Sequence, residues 1–157
     1  PEGASQITGA GQVVGTPAYM APEQASGDHS AVDRRTDVYS LGASLYEMLT
    51  MQPPFPGRAV FEVLQKVLEQ EPQDPCEISP DVPRPLGDIV LKALAKVAGY
   101  RYQTALAMAE DLRTFLRGAP PIASQEAGHA KRGASGDEGG PPRGGGFLSR
   151  FGLRKKR

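Results

Sequence analysis

One cysteine, Cys76, and no tryptophan stand in a chain of 157 residues. A single thiol excludes an intrachain disulfide and provides no metal cluster, which suits a reducing compartment. The two histidines, His29 and His129, lie far apart without ligand-spaced neighbours, so no metal site is expected. No run approaches the roughly 20 apolar residues that span a bilayer, and no apolar core follows a basic start as in a signal peptide. Glycine is plentiful, yet Gly9-x-Gly11 lacks the third glycine that a phosphate-binding glycine loop would need, because position 14 is Val14. These absences leave a cytoplasmic protein as the expectation.

The net charge is zero, but it is a cancellation. Residues 1–117 carry ten Lys/Arg against fifteen Asp/Glu and nearly all the large apolar side chains. Residues 118–157 carry eight Lys/Arg against three Asp/Glu and are dominated by Gly, Pro, Ala and Ser. The first part has the composition of a folding unit, and the second that of a disordered linker. Net charge therefore supports no nucleic-acid partner. At the end, Phe147, Leu148, Phe151 and Leu153 are interleaved with Arg150, Arg154, Lys155, Lys156 and Arg157. That pattern suits either a solvated tail or an anionic membrane surface touched through residues 147–157.

Helical periodicity dominates the first part. After a polar loop over 26–33, Thr36 or Asp37 offers an N-cap. Val38, Leu41, Leu45, Met48 and Leu49 then trace an apolar face, with Tyr39, Ala43 and Tyr46 elsewhere on the circumference, as in a buried helix. Pro53-Pro54-Phe55-Pro56-Gly57 stops it. Val60, Val63, Leu64, Val67 and Leu68 predict a second helix over about 58–70, followed by an irregular proline-rich connection over 71–85. A third helix is expected over about 85–96, with Leu86, Ile89, Val90, Ala93 and Leu94, and a fourth from Thr104 to Leu116, with Leu106, Ala109, Leu112 and Leu116.

The most specific stretch runs from Gly15 to Gln24, Gly-Thr-Pro-Ala-Tyr-Met-Ala-Pro-Glu-Gln. Pro17 and Pro22 fix φ, and Pro22-Glu23 reads as a helix entry. With Thr16 and Tyr19, this run resembles the end of a protein-kinase activation segment, in particular that of bacterial serine/threonine kinases. A second marker is Arg101-Tyr102. The resemblance covers residues 15–116, with one departure: Val97-Ala98-Gly99 stands where the family has Asp-Pro, which predicts a looser turn before Arg101.

The resemblance implies a mainly α fold, the helical C-lobe of a protein-kinase-like domain with an activation segment and about four to five helices. Residues 1–117 would form this partial domain, with the N-lobe absent and 118–157 a disordered tail. It implies that Thr16, Pro17, Ala18, Tyr19 and Met20 position substrate and that Glu23 pairs with Arg101. By the same resemblance Asp37 is a buried aspartate accepting from catalytic-loop amides, alongside its plain reading as an N-cap. Ser5 and Thr8 are candidate phosphosites or simple loop formers.

Phosphoryl transfer also needs a lysine and glycine-rich loop on the nucleotide, Mg²⁺ ligands and an aspartate base. The sequence contains no His-Arg-Asp, no Asp-Phe-Gly and no Val-Ala-Ile-Lys. No catalytic, cofactor-binding or metal residue is therefore assigned, and ATP and Mg²⁺ are implied only for a full-length kinase. The chain opens on Pro1 and reads as a fragment, inactive alone, whose partners are protein substrates and the missing N-lobe and catalytic loop. A longer parent is expected to be cytoplasmic or membrane-anchored. The other reading is a truncated, inactive lobe serving as a protein-binding or regulatory module.

Overall fold

The computed structural model describes residues 17–134, with side chains described through 128. The described residues are helical, without strands. A 3-10 turn at Pro17–Tyr19 leads into the one-turn helix α1 (Pro22–Ala25), and a second 3-10 turn covers His29–Ala31. Then come α2 (Arg34–Thr50), α3 (Val60–Glu69), the one-turn α4 (Pro75–Ile78) and α5 (Arg84–Ala93). A 3-10 turn at Ala98–Tyr100 precedes α6 (Ala105–Leu116) and α7 (Ile122–Ala134).

The central α2 starts earlier than the sequence suggests. Asp33 is its N-cap, accepting from the Arg35 amide at 2.8 Å, so neither Thr36 nor Asp37 caps it. Thr36 lies inside the first turn, and its hydroxyl accepts from the Asp33 amide at 3.2 Å. Its far end stops at Met51, which adopts the left-handed conformation at φ 59° and donates back to the Glu47 carbonyl at 2.8 Å.

The buried face of α2 is also rotated from the expected one. Val38, Tyr39, Gly42, Ala43 and Tyr46 are buried, whereas Leu41 and Met48 are exposed. The reason is close packing on α5: a Cβ at Gly42 would lie 2.7 Å from Ala93 Cβ, so the small residues and their neighbours must face that helix. Two apolar clusters result. Ala21, Tyr39, Ala43, Tyr46, Phe55, Val63, Val67, Val90 and Leu94 form one. Val38, Ile89, Ala93, Tyr102, Met108 and Ala123 form the other.

Local chemistry fixes the connections. Tyr46 donates to the Gln73 carbonyl at 3.0 Å, and Asp74 caps α4 through the Cys76 amide at 3.0 Å. The proline-rich stretch thus contains a helical turn where none was expected. Arg84, at the start of α5, bridges Asp74 and Asp88.

Within the linker expected from residue 118 onward stands a helix that was not expected, α7 at Ile122–Ala134. Pro121 and Ala123 are buried, and α7 packs on α5. Composition hid this helix because its support comes from another element. The carboxylate of Asp111 in α6 accepts the Ile122 amide at 2.6 Å and the Ala123 amide at 3.0 Å, satisfying two free N–H groups at the start of α7. Residues 135–157, including the tail at 147–157, lie outside the described part. Among the described residues no helix is long and apolar enough to cross a membrane.

Candidate substrate-positioning site

The site is built where the first 3-10 turn rests on α2. Pro17 and the two residues after it close the turn, with the Met20 amide donating to the Pro17 carbonyl at 3.2 Å. Pro17, Ala18, Tyr19 and Met20 are all half-buried. Tyr19 is tied at both ends. Ser40 Oγ donates to its carbonyl oxygen at 3.0 Å, and its own hydroxyl donates to the Glu47 carboxylate. That hydrogen bond to Glu47 comes first among the causes that raise the Tyr19 phenol above its ordinary range, followed by burial and the Glu47 charge.

Glu23 anchors the other side of this segment. Its Oε1 and Oε2 accept from Arg101 Nη1 and Nη2 at 2.7 and 2.8 Å, a two-pronged ion pair that fixes orientation as well as charge. Thr36 Oγ1 donates to Oε1 at 2.8 Å. Burial pushes the Glu23 carboxyl up, but the bonds from Arg101, its own backbone and Thr36 outweigh it, and the group sits below the usual glutamate range.

The Arg101 side chain is fully buried. Beyond Glu23 it donates to the carbonyls of Ala95 at 2.8 Å, Arg35 at 3.1 Å and Lys96 at 3.1 Å. Its guanidinium also lies 4.9 Å over the Tyr39 ring. All its nitrogens are thus engaged, which is what a buried guanidinium requires.

The turn before Arg101 is tighter than the missing Asp-Pro suggested. Tyr100 and Arg101 amides donate to Val97 and Ala98 carbonyls at 3.0 and 3.2 Å. Gln103 Nε2 reaches back to the Gly99 and Arg101 carbonyls at 3.1 and 2.8 Å. A side-chain amide thus does the work of a rigid dipeptide.

Lys96 lies beside this cluster, with Nζ 2.6 Å from the Val67 carbonyl at the end of α3 and 3.9 Å over the Phe55 ring. Burial lowers its ammonium to about 8, with Glu71 opposing and Arg101 adding to the shift.

Asp37 is exposed in the first turn of α2. It lines one strip of that helix with Leu41, Ser44 and Met48, all exposed at helical spacing. Gly15, Thr16, Ser5 and Thr8 lie outside the described residues. Among the described residues no group of three His, Cys, Asp or Glu side chains is placed to hold a metal.

Three contributors escaped the sequence reading. Ser40 and Glu47 are ordinary polar residues of α2 whose role appears only once Tyr19 is placed against them. Asp111 had a weak signal: it interrupts the face Met108-Leu112-Phe115 with a carboxylate, and it is buried.

The protein kinase domain family matches residues 3–112. The chain is 41% identical over 130 residues to the probable serine/threonine-protein kinase SCO3848 of Streptomyces coelicolor, covering 83% of this chain and 19% of that protein. It is 41% identical over 142 residues to the serine/threonine-protein kinase PknB of Mycobacterium tuberculosis, covering 87% and 22%. The tyrosine-protein kinase MasK of Myxococcus xanthus is 44% identical over 128 residues, covering 78% and 20%. The chain therefore spans about a fifth of the length of these curated relatives. With the match covering most of the described helices and both anchors of the Glu23 pair, the chain belongs to the protein kinase domain family, in its bacterial branch.

Proposed function

We propose that this chain is the substrate-positioning part of a serine/threonine protein kinase whose full length transfers the ATP γ-phosphate to protein Ser or Thr. The observation that carries this reading is the double anchoring of one short loop. Tyr19 is bound through its carbonyl and hydroxyl to α2, and Glu23 is bound to Arg101. A loop held at both ends presents one backbone shape to an acceptor peptide, and phosphoryl transfer depends heavily on placing the acceptor in line. Thr16, immediately before this turn, would meet the catalytic loop and favour a hydroxyl acceptor.

Two further features agree. The exposed strip Asp37-Leu41-Ser44-Met48 would receive the remainder of the catalytic domain, with Asp37 accepting from backbone amides there. Ser5 and Thr8 would be sites at which phosphorylation orders the segment. ATP and Mg²⁺ belong to the full kinase, and no residue of this chain is assigned to holding either.

The test is acceptor labelling. Full-length protein with ATP and Mg²⁺ should phosphorylate Ser/Thr peptides in preference to Tyr peptides, and the 157-residue chain alone should label neither. Preference for tyrosine would overturn the acceptor class. Labelling by the chain alone would overturn its assignment as the positioning part. No labelling by the full-length protein would favour a regulatory binding module.

A further inference from the structure

The family match ends at residue 112, but the packed structure does not. Helix α7 lies against α5, with Ala123 in the same cluster as Val38, Ile89, Ala93, Tyr102 and Met108. Its N-terminus is held by Asp111, only 2% exposed, which also accepts from the Tyr102 hydroxyl at 2.7 Å. Lys92 adds a second tie. Its Nζ pairs with Glu126 at 2.8 Å and lies 4.7 Å over the Tyr102 ring.

Tyr102 follows Arg101 directly, and both are buried. Adjacent residues thus serve two anchors: Arg101 holds Glu23 and the substrate loop, while Tyr102, through Asp111, holds α7. We propose that α7 is a docked strap, and that its docking is coupled through the Arg101-Tyr102 step to the Glu23 anchor, so that releasing either loosens the other.

The strap has the composition of a two-state element. Its 13 residues include Gly128 and Gly133. Helices shorter than about 12–15 residues are marginal in water alone, and interior glycine weakens them further. Away from the lobe, α7 should therefore lose both the Asp111 bonds and its helical form together. Docked, its N-terminal amides bond the Asp111 carboxylate that also holds the Tyr102 hydroxyl, and Ala123 packs in the cluster that contains Tyr102. Loss of that contact frees Tyr102 to move, and Arg101 shares its backbone.

Residues 135–157 follow this strap in sequence, so a pull or a competing partner acting on the strap would reach the Glu23 anchor. The inference rests on the geometry of the Glu23 anchor and is independent of the reaction assigned above.

Hydrogen exchange read by mass spectrometry on the full-length protein tests it. In the wild type, amides of 122–126 should be protected. Ala123→Glu forces a charge into the cluster and should speed exchange over 121–128 by about tenfold or more, the range expected for local opening. Exchange over 22–28 should rise by about threefold, with 38–46 unchanged. Glu126→Lys, which repels Lys92, should move the same two segments by less. Coupling is reciprocal, so Glu23→Gln should speed exchange over 121–128.

Unprotected 122–126 amides in the wild type would overturn the docking. Freed 121–128 with unchanged 22–28 in both strap variants would overturn the coupling. If Ala123→Glu also exposes 38–46, the lobe itself has opened, and the outcome for Glu126→Lys decides.

Discussion

Glu23 and Arg101, 78 residues apart in the chain, share two hydrogen bonds of 2.7 and 2.8 Å with the arginine side chain fully buried. Breaking one side of such a pair leaves a buried charge without compensation, which typically costs about 3–5 kcal/mol. Either Glu23→Gln or Arg101→Met should therefore lower stability strongly in denaturant unfolding, and the double variant should cost less than the two losses added. Additive losses would mean the pair carries no coupling.

The same carboxylate sets an acid limit. Its folded pKa is lowered, so the stabilisation it gives is fully present above the ordinary glutamate value of 4.5 and is lost as pH falls through the lower folded value. Wild type minus Glu23→Gln stability, measured against pH, should be flat near neutrality and shrink below about pH 4.5. A difference that grows on acidification would contradict the lowered pKa.

Tyr19 ties the turn at Pro17–Tyr19, the segment proposed to position substrate, to α2 through Ser40 and Glu47. Tyr19→Phe removes the Glu47 bond and keeps the ring, so the loop should stay folded but lose one fixed point. In the full-length kinase the KM for a peptide acceptor should rise by about three- to tenfold, with the KM for ATP unchanged, as expected when a binding contact alone is removed. A change confined to the ATP constant would place Tyr19 outside acceptor positioning.

How much of this was legible in sequence differs from residue to residue. Glu23 and Arg101 stand in local motifs that name them, and α3, α5 and α6 lie within a few residues of the bounds that apolar periodicity predicts. The face expected for α6 is not the buried one: Leu106 and Leu116 are exposed, and Met108 and Asp111 are buried because α6 turns them toward Tyr102 and α7. The start of α2 was misread because Thr36 looks like a cap, whereas its hydroxyl serves Asp33 and Glu23 at once. Ser40 and Glu47 carry no local signal, since their partner lies 21 or more residues away. Helix α7 was hidden for the same physical reason: its N-terminal amides are satisfied by Asp111, in another helix.

Lys96 offers a test on the basic side. Burial holds its ammonium at about 8, below the ordinary lysine value of 10.5. Between those values the unfolded chain binds the proton more readily than the folded one, so stability rises with pH across that window. Relative to Lys96→Met, the wild type should gain about 2–3 kcal/mol from pH 8 to 10.5, the size implied by such a displacement. A flat difference would mean that the Val67 carbonyl and the Phe55 ring, both of which favour the ammonium, offset its burial.

Gly42 separates two opposing effects at the contact between α2 and α5. Alanine in a helix interior is favoured over glycine by about 0.5–1 kcal/mol, so propensity alone predicts that Gly42→Ala stabilises. Its Cβ, however, would lie 2.7 Å from Ala93 Cβ and 3.5 Å from Leu94 Cγ, and overpacking of this kind costs about 1–3 kcal/mol. The obstructing atom is itself a Cβ fixed to the α5 backbone, so no side-chain rotation relieves it and the helices must separate. Gly42→Ala should therefore lower the thermal midpoint, and adding Ala93→Gly should recover part of the loss by removing the opposing atom. A higher midpoint for Gly42→Ala alone would show that the helices do not approach this closely.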